Sequence, residues 1–219
     1  MVQKKPKAGS APPAEAAGRM RGRPRQYDPE RALAKAADAF WKQGYAATSL
    51  DDLVAATGMN RPSLYAAFGD KRDLYLNTLK RYQQQSRAIG AQITADDPPL
   101  RVFLSRFYEA ALDIYLDSGD GVRGCYSIST APTQAATDPA VRDFLAASIA
   151  GTDTFVAKQI EKARARGEVP SEADPHALAQ LATAALHTIA IRARVGVLRK
   201  QLRAVAAAAI DVICKPQKS

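Results

Sequence analysis

The sequence holds only two cysteines and two histidines among its 219 residues. Two thiols, Cys125 and Cys214, are too few for a disulfide framework and are expected to be reduced. The histidines, His176 and His187, lack metal-ligand spacing, and neither a glycine-rich phosphate loop nor a nucleophile elbow occurs. These absences argue against a disulfide-stapled secreted protein, a metal site and an enzyme, and we expect no cofactor.

Long apolar runs are missing as well. The richest stretch, residues 177–191, is interrupted by Gln180, Thr183, His187 and Thr188, whereas a membrane span needs about 20 apolar residues. No apolar core follows the first lysines, so the start does not read as a secretory signal. We therefore expect a cytoplasmic protein without a membrane partner. Abundant alanine and few β-branched runs favour helix throughout.

The positive charge is concentrated at one end of the chain. The formal net charge is +9, and residues 1–27 hold seven basic residues against one acidic residue. Residues 28–80 hold seven of each sign and are neutral overall. We interpret residues 1–26 as a disordered basic arm that supplies sequence-independent attraction to phosphate. A merely solubilising extension is the alternative.

Residues 28–71 contain the most informative pattern, DPERALAKAADAFWKQGYAATSLDDLVAATGMNRPSLYAAFGDK. Asp28, Ser49 and Asn60 each stand where a side chain can cap a helix. Apolar residues recur at helical spacing, and glycines end each of the three short segments. Two short helices across a tight glycine turn indicate a helix-turn-helix, whose second helix enters the DNA major groove.

The same segment resembles the DNA-binding domain of the TetR family of transcriptional regulators. The resemblance is carried by Ala39-Phe40, Gly44-Tyr45, Thr48-Ser49, Leu53-Val54, Ala55-Ala56, Gly58, Ser63-Leu64-Tyr65, Phe68 and Lys71-Arg72-Asp73-Leu74. It implies an all-α fold of about nine helices and a palindromic DNA operator. It further implies a homodimer formed by the last two helices, and internal packing of those helices within one subunit is the alternative.

The remaining helices are marked by repeated Asp-Pro pairs, a cap followed by a favourable first residue. Asp97-Pro98, Asp138-Pro139 and Asp174-Pro175 predict helices over about 98–118, 139–166 and 175–194. A connector helix from Asp70 to about Ile93, a short helix near 125–133 and a last helix over 198–213 complete the prediction. The resulting domains are a helix-turn-helix domain, 27–70, and a helical effector-binding and dimerisation domain, 71–214.

The predicted DNA contacts lie at the start of the second helix of the motif and in the arm. Arg61 can bond two acceptors of guanine, and Asn60 either contacts DNA or only caps its helix. In the arm, RGRPR resembles an AT-hook core that lies in a minor groove, and an arbitrary basic linker is its alternative. The full predicted set is Arg21, Arg23, Arg25, Thr48, Asn60, Arg61, Ser63, Tyr65 and Lys71.

Aromatic and apolar residues at helical spacing in the second domain predict an effector pocket for a small, largely apolar molecule. The candidate residues are Phe103, Phe107, Tyr108, Cys125, Tyr126, Phe144, Phe155 and His187, and an ordinary core would use the same residues. A role for Cys125 as a thiol sensor is a further alternative.

The sequence thus predicts a dimeric, ligand-responsive repressor of transcription. A non-sequence-specific chromosomal DNA-binding protein of the AT-hook type is the second hypothesis. Uniform DNA coverage would favour that second hypothesis, and reproducible turnover would favour an enzyme. Dimerisation is expected to bury Leu202 and Ala206 of the alanine-rich last helix against the second subunit.

Overall fold

Nine α-helices and no strand make up the part of the chain that the computed structural model describes, namely Met1, residues 28–116 and residues 123–214. The all-α prediction is therefore confirmed. The helices are α1 (Pro29–Gln43), α2 (Leu50–Thr57), α3 (Arg61–Phe68), α4 (Lys71–Ile93), α5 (Leu100–Leu116), α6 (Tyr126–Ala135), α7 (Pro139–Ala165), α8 (Pro175–Arg194) and α9 (Arg199–Ile213).

Three of the four Asp-Pro pairs start helices as predicted. The Asp28 carboxylate accepts hydrogen bonds from the backbone N–H groups of Glu30 and Arg31. Asp138 does the same at the start of α7, and Asp174 accepts from the His176 N–H at the start of α8. Each carboxylate satisfies N–H groups that have no partner within the helix, which is why the local sequence predicts these starts well.

The fourth pair, Asp97-Pro98, does not cap a helix, and that prediction was wrong. Asp97 has a φ of 44°, outside the extended conformation of an N-cap, and its carboxylate pairs with Lys162 at 2.7 Å and Arg166 at 3.1 Å. Helix α5 begins later, at Leu100, whose N–H donates to the Glu168 carboxylate at 2.5 Å. The start of α5 is therefore fixed by side chains of α7 and of the turn that follows α7.

Two apolar cores organise the molecule. The first contains Phe40, Trp41, Leu53, Leu64 and Tyr75 of the helix-turn-helix and α4, and it also includes Tyr126, Ala131 and Val141 from α6 and α7. The second lies among α5, α7, α8 and α9. Because α6 contributes to the first core, the helix-turn-helix is packed firmly on the second half of the chain.

Helices α4 and α7 run side by side in the same direction. Near their starts, Arg72 of α4 bonds Asp138 at 2.5 Å. Beyond the end of α4, Asp97 pairs with Lys162 near the end of α7. Between these points a Cβ added at Gly90 would lie 3.3 Å from the Phe155 ring. This parallel pair borders the cavity described below.

Candidate DNA-binding surface and effector cavity

The turn between α2 and α3 positions the most exposed short helix of the protein. Ser49 and Asp52 form a reciprocal capping box at the start of α2. Gly58 ends α2 with a φ of 71°, a left-handed conformation that glycine adopts without a Cβ clash. Leu53 and Leu64 are buried against α1 and α4. The first residues of α3 consequently face solvent on a rigid support.

Arg61 is the first residue of α3, and its side chain is 56% exposed. Its Nη2 atom donates to Asp51 Oδ1 of α2 at 2.6 Å, and this bond raises the pKa of the guanidinium. The absence of an acidic residue in α3 therefore does not leave Arg61 unpaired. One bond uses only part of the five N–H donors of an arginine, so the others remain free for a ligand.

Asn60 and Ser63 take part in the start of α3. The Asn60 side chain accepts a hydrogen bond from the Ser63 N–H at 2.9 Å. Of the two roles predicted for Asn60, capping is the one that its side chain performs here. Ser63 is half-buried beside it.

Tyr65 of α3 and Lys71, three residues after α3 ends, carry polar groups. The Tyr65 side chain is 47% exposed. The Lys71 ammonium lies 4.4 Å from the centroid of the Tyr45 ring, and partial burial lowers its pKa. The two residues therefore offer one hydroxyl on α3 and one cation just after that helix.

Other predicted contacts do not belong to this described surface. Thr48 is fully buried, and its hydroxyl donates to the Gly44 carbonyl at 2.7 Å. We therefore assign Thr48 to closure of the turn between α1 and α2 rather than to a phosphate contact. Arg21, Arg23 and Arg25, like all of the predicted arm 1–26 except Met1, lie outside the described residues.

Buried hydroxyl pairs join α4 to α6. The Thr78 hydroxyl donates to the Tyr75 carbonyl at 2.6 Å and lies 2.7 Å from the Tyr126 hydroxyl. The Tyr75 hydroxyl lies 2.7 Å from that of Thr130. Since every one of these groups is buried, a shift of α6 relative to α4 would break bonds that water could not replace.

Arginines make a second connection at the end of α1. Arg194 of α8 donates to the Trp41 carbonyl at 2.9 Å and to the Lys42 carbonyl at 3.2 Å. The Trp41 indole donates to the Arg123 carbonyl, and the Arg123 guanidinium pairs with Asp38 at 2.9 Å. The helix-turn-helix is thereby tied to α8 and to the residues before α6. Nothing in the periodicity of these residues signals this connection.

A cavity of about 570 Å³ lies in the second half of the chain, bordered by α4, α5, α6, α7 and α8. Its exposed lining residues, Ser86, Arg87, Ala91, Gly151, Thr154 and Lys158, all belong to α4 and α7. The cavity therefore opens between these two helices. Its volume falls within the range of small-molecule sites, which is about 300–1,000 Å³.

The structure brings half of the predicted effector residues to this cavity. Phe107, Cys125, Phe155 and His187 line it. Phe103 and Tyr108 lie away from the lining in the second core, where the Tyr108 hydroxyl donates to the Ala182 carbonyl. Tyr126 and Phe144 belong instead to the first core. Helical spacing marks the aromatic residues among the eight as lying on apolar helix faces, but it does not show which helix faces pack against each other.

Polar groups form the inner end of the cavity. The Tyr82 hydroxyl donates to the Cys125 sulfur at 3.5 Å, and Tyr115 borders the same thiol. Burial raises the pKa of both tyrosines far above the ordinary value, so they stay neutral. His187 is half-buried, and burial lowers its pKa. The inner end thus presents neutral hydrogen-bonding groups.

Several lining residues escaped the sequence analysis. Arg87 and Lys158 read as ordinary charges on solvated helix faces, and Ser127, Ile128 and Ile149 carry no local signal of a pocket.

Gly124 has a φ of 64°, and a Cβ there would lie 2.5 Å from the Ala190 carbonyl oxygen. This glycine therefore lets the start of α6 approach α8 closely.

An apolar stripe remains exposed on the last two helices. On α8 and just beyond it, Ala177, Leu181, Ala184, Thr188, Ile191 and Val195 follow one another at steps of three and four residues. On α9 and just before it, Leu198, Gln201, Ala208 and Val212 are exposed at the same spacing, and Val205 between them is half-buried against the second core. Leu202 and Ala206 face the other way and are buried within the subunit, so their predicted burial by a second subunit was wrong.

The described residues contain no group of three or more His, Cys, Asp or Glu side chains placed to hold a metal ion. None of their helices is both long enough and apolar enough to cross a membrane.

Two family models match the chain. The model "Bacterial regulatory proteins, tetR family" matches residues 32–78, which cover the helix-turn-helix and the start of α4. The model "Tetracyclin repressor-like, C-terminal domain" matches residues 103–210, which span α5 to α9. Together the two matches cover more than half of the chain.

Individual relatives agree with these matches. The chain is 32% identical to the HTH-type transcriptional repressor ComR of Escherichia coli (strain K12), over 85% of this chain and 89% of that protein. It is 30% identical, with a TM-score of 0.78, to a cysteine mutant of the TetR family regulator CifR complexed with 26-base-pair operator DNA, covering 86% and 98% of the two chains. A TetR transcriptional regulator from Chloroflexus aurantiacus is 26% identical with a TM-score of 0.76, covering 86% and 94%. The chain therefore belongs to the TetR family of bacterial regulatory proteins and is a DNA-binding transcriptional regulator.

Proposed function

We propose that this regulator is a ligand-responsive repressor that binds a palindromic operator as a homodimer. The observation that carries the proposal is the linkage of an exposed α3 to an apolar cavity through the packed helices α4 and α6. Similarity to ComR, a transcriptional repressor, and to CifR, which was solved with operator DNA, supports repression and operator binding. Such a protein works in the cytoplasm and performs no catalysis.

On DNA, each contact has a distinct task. Arg61 at the start of α3 reads a guanine in the major groove, because its guanidinium is exposed and retains free donors. Tyr65, Lys71 and Ser63 hold the phosphate backbone and set the register of the helix. Arg21, Arg23 and Arg25 of the arm add minor-groove contacts. Asn60 acts indirectly by fixing the first turn of α3.

The second subunit covers the exposed stripe on α8 and α9. Residues that alternate at three and four positions keep one face toward a partner helix, as in four-helix bundles. A two-fold axis through this face places two α3 helices on the same side of the dimer, about 34–36 Å apart, where successive major grooves meet them. We accordingly divide the chain into the arm 1–26, the DNA-binding domain 27–70 and the effector and dimerisation domain 71–214.

The effector acts by filling the cavity. Cys125, at the start of α6, and Ser127 and Ile128 of α6 line the cavity, whereas Tyr126 and Thr130 of the same helix face α4. A ligand that fits only a displaced α6 and α4 therefore favours a different separation of the two α3 helices. It releases DNA because it binds the state unable to bind the operator more tightly.

Selection of bound fragments from genomic DNA, followed by a compound screen, tests this function. The fragments should share one short palindrome, and transcription from it should fall when the protein is added. A compound that raises the melting temperature of the protein should also release the DNA. Retention of random fragments, or a broad screen in which no compound has either effect, would contradict the proposal.

A further inference from the structure

The mouth of the cavity carries charge of a single sign. Among the described residues that line the cavity, the only permanently charged ones are Arg87 of α4 and Lys158 of α7, and this described lining contains no aspartate or glutamate. Both cations are exposed, and within the described residues neither makes a hydrogen bond or an ion pair. The cavity is therefore an apolar space with two unneutralised cations at its opening.

Neighbouring acids do not compensate these charges. Between Asp73 and Asp96 the chain has no acidic residue, so α4 offers Arg87 no partner along its own length. On α7, Asp153 accepts a hydrogen bond from the Thr183 hydroxyl, and Glu161 pairs with Arg164 at 3.7 Å. On α5, which lines the opposite wall, Glu109 and Asp113 pair with arginines of α9. These four described acids are therefore engaged elsewhere, and Asp143 of α7, which is exposed and makes no such bond, lies fifteen residues before Lys158 on its helix.

The geometry of α4 and α7 places the two cations on either side of the opening. The contact between Gly90 and the Phe155 ring sets the register of the two parallel helices. Arg87 lies three residues before this contact and Lys158 three residues after it, so their backbones are offset by about 9 Å along the parallel helix axes. Their long, flexible stems allow both charges to approach one group held at the mouth.

We propose that the effector is an amphipathic anion, with an apolar body inside the cavity and one acidic group held by Arg87 and Lys158. This inference rests on the proposed role of the cavity as the effector site. Phe107, Ile114, Ile149 and Phe155 enclose the apolar body, and their burial supplies most of the affinity. A carboxylate or sulfonate at the mouth satisfies both cations and keeps partial contact with water, so its desolvation cost is small.

Two dyes that share one aromatic body test the charge requirement. Anilinonaphthalene sulfonate carries a sulfonate, and N-phenylnaphthylamine lacks it. Fluorescence titration of the full-length protein should show that the sulfonate binds about tenfold more tightly, and that decanoate displaces it. Its affinity should fall with added salt, whereas that of the neutral dye should not.

Variants assign the effect to residues. Arg87→Gln combined with Lys158→Gln should weaken sulfonate binding about tenfold and leave the neutral dye unchanged. The matched control is Lys80→Gln combined with Lys200→Gln, which removes two exposed cations of α4 and α9 that do not line the cavity. Gly151→Trp places a large side chain at the mouth, where an added Cβ meets no atom within 4 Å, and should block both dyes.

The possible results separate the two proposals. If both dyes bind with equal affinity and the double variant changes neither, the anion requirement is overturned while the cavity remains a ligand site. If Gly151→Trp leaves the binding of both dyes unchanged, they bind elsewhere, and the proposed effector site fails together with this inference.

Discussion

Replacement of Arg61 by alanine should lower the affinity for DNA without changing the stability of the protein. The side chain is 56% exposed and its partner Asp51 is 76% exposed, so their ion pair contributes little to folding. A bidentate contact to guanine needs two N–H donors, and Arg61 can supply them while keeping its bond to Asp51. Losing that contact should lower operator affinity about 5- to 150-fold, with an unchanged melting temperature.

Fluorescence anisotropy with operator variants is the appropriate assay. Arg61→Ala should bind all four bases at one position almost equally, and Arg61→Lys should recover charge without recovering base preference. Asp51→Asn should not weaken binding, because it removes only a negative charge near DNA. Arg101→Ala is the matched control, since Arg101 forms a similarly exposed pair with Asp211 at 2.7 Å beyond the far end of α4. Equal affinity and equal base preference in Arg61→Ala and Arg101→Ala would refute the reasoning.

Four further predictions concern the basic arm, the dimer, the buried hydroxyl pairs between α4 and α6, and the stability of the protein in acid. Deletion of residues 1–26 should weaken DNA binding and make its salt dependence shallower while the selected sequence persists; an unchanged salt slope would mean that the arm does not touch DNA. Ala208→Glu, on the exposed stripe, should give a folded monomer by light scattering with weak operator binding, whereas Leu202→Glu should prevent folding because Leu202 is buried. Thr78→Val should lower the free energy of unfolding in urea by about 1–3 kcal/mol, since the Tyr126 hydroxyl loses its buried partner, and Thr78→Ser should not. The pKa of Asp138 is lowered chiefly by its hydrogen bond from Arg72, so the stability from this pair is present above the ordinary aspartate pKa and is lost as pH falls through the lowered value. Asp138→Asn should accordingly flatten the loss of stability below about pH 4, and an identical acid profile would contradict this.

Local chemistry explains which parts of the fold could be predicted. Caps such as Asp28, Ser49 and Asn60 satisfy N–H groups within three residues, so the sequence nearby contains the whole cause of each helix start. The start of α5 could not be predicted in this way. There Asp97 is held by Lys162 and Arg166, and Leu100 by Glu168, which are residues more than sixty positions away.

Only half of the predicted effector residues line the cavity, because the lining also depends on contacts between residues far apart in the sequence. Spacing identifies Phe103 and Phe107 as apolar face residues of α5, but only three-dimensional packing buries Phe103 and leaves Phe107 facing a space. Arg87 and Lys158 became visible as a pair only when the register of α4 and α7 was known. Likewise, its alanine content indicated that α9 is an interface helix. Whether Leu202 or Ala208 faces the second subunit depends on which face of α9 the subunit itself buries, and the sequence does not show this.

Hydroxyl-radical footprinting on a selected genomic fragment tests the central claim most directly, namely that a dimer reads a palindrome with two α3 helices. The account predicts one protected palindrome whose half-sites are centred about 10 base pairs apart, or a multiple of that spacing, on one face of the duplex. It also predicts that protection disappears in Ala208→Glu. Uniform protection along the fragment, independent of sequence and retained by the monomeric variant, would contradict the account and favour a non-sequence-specific DNA-binding protein.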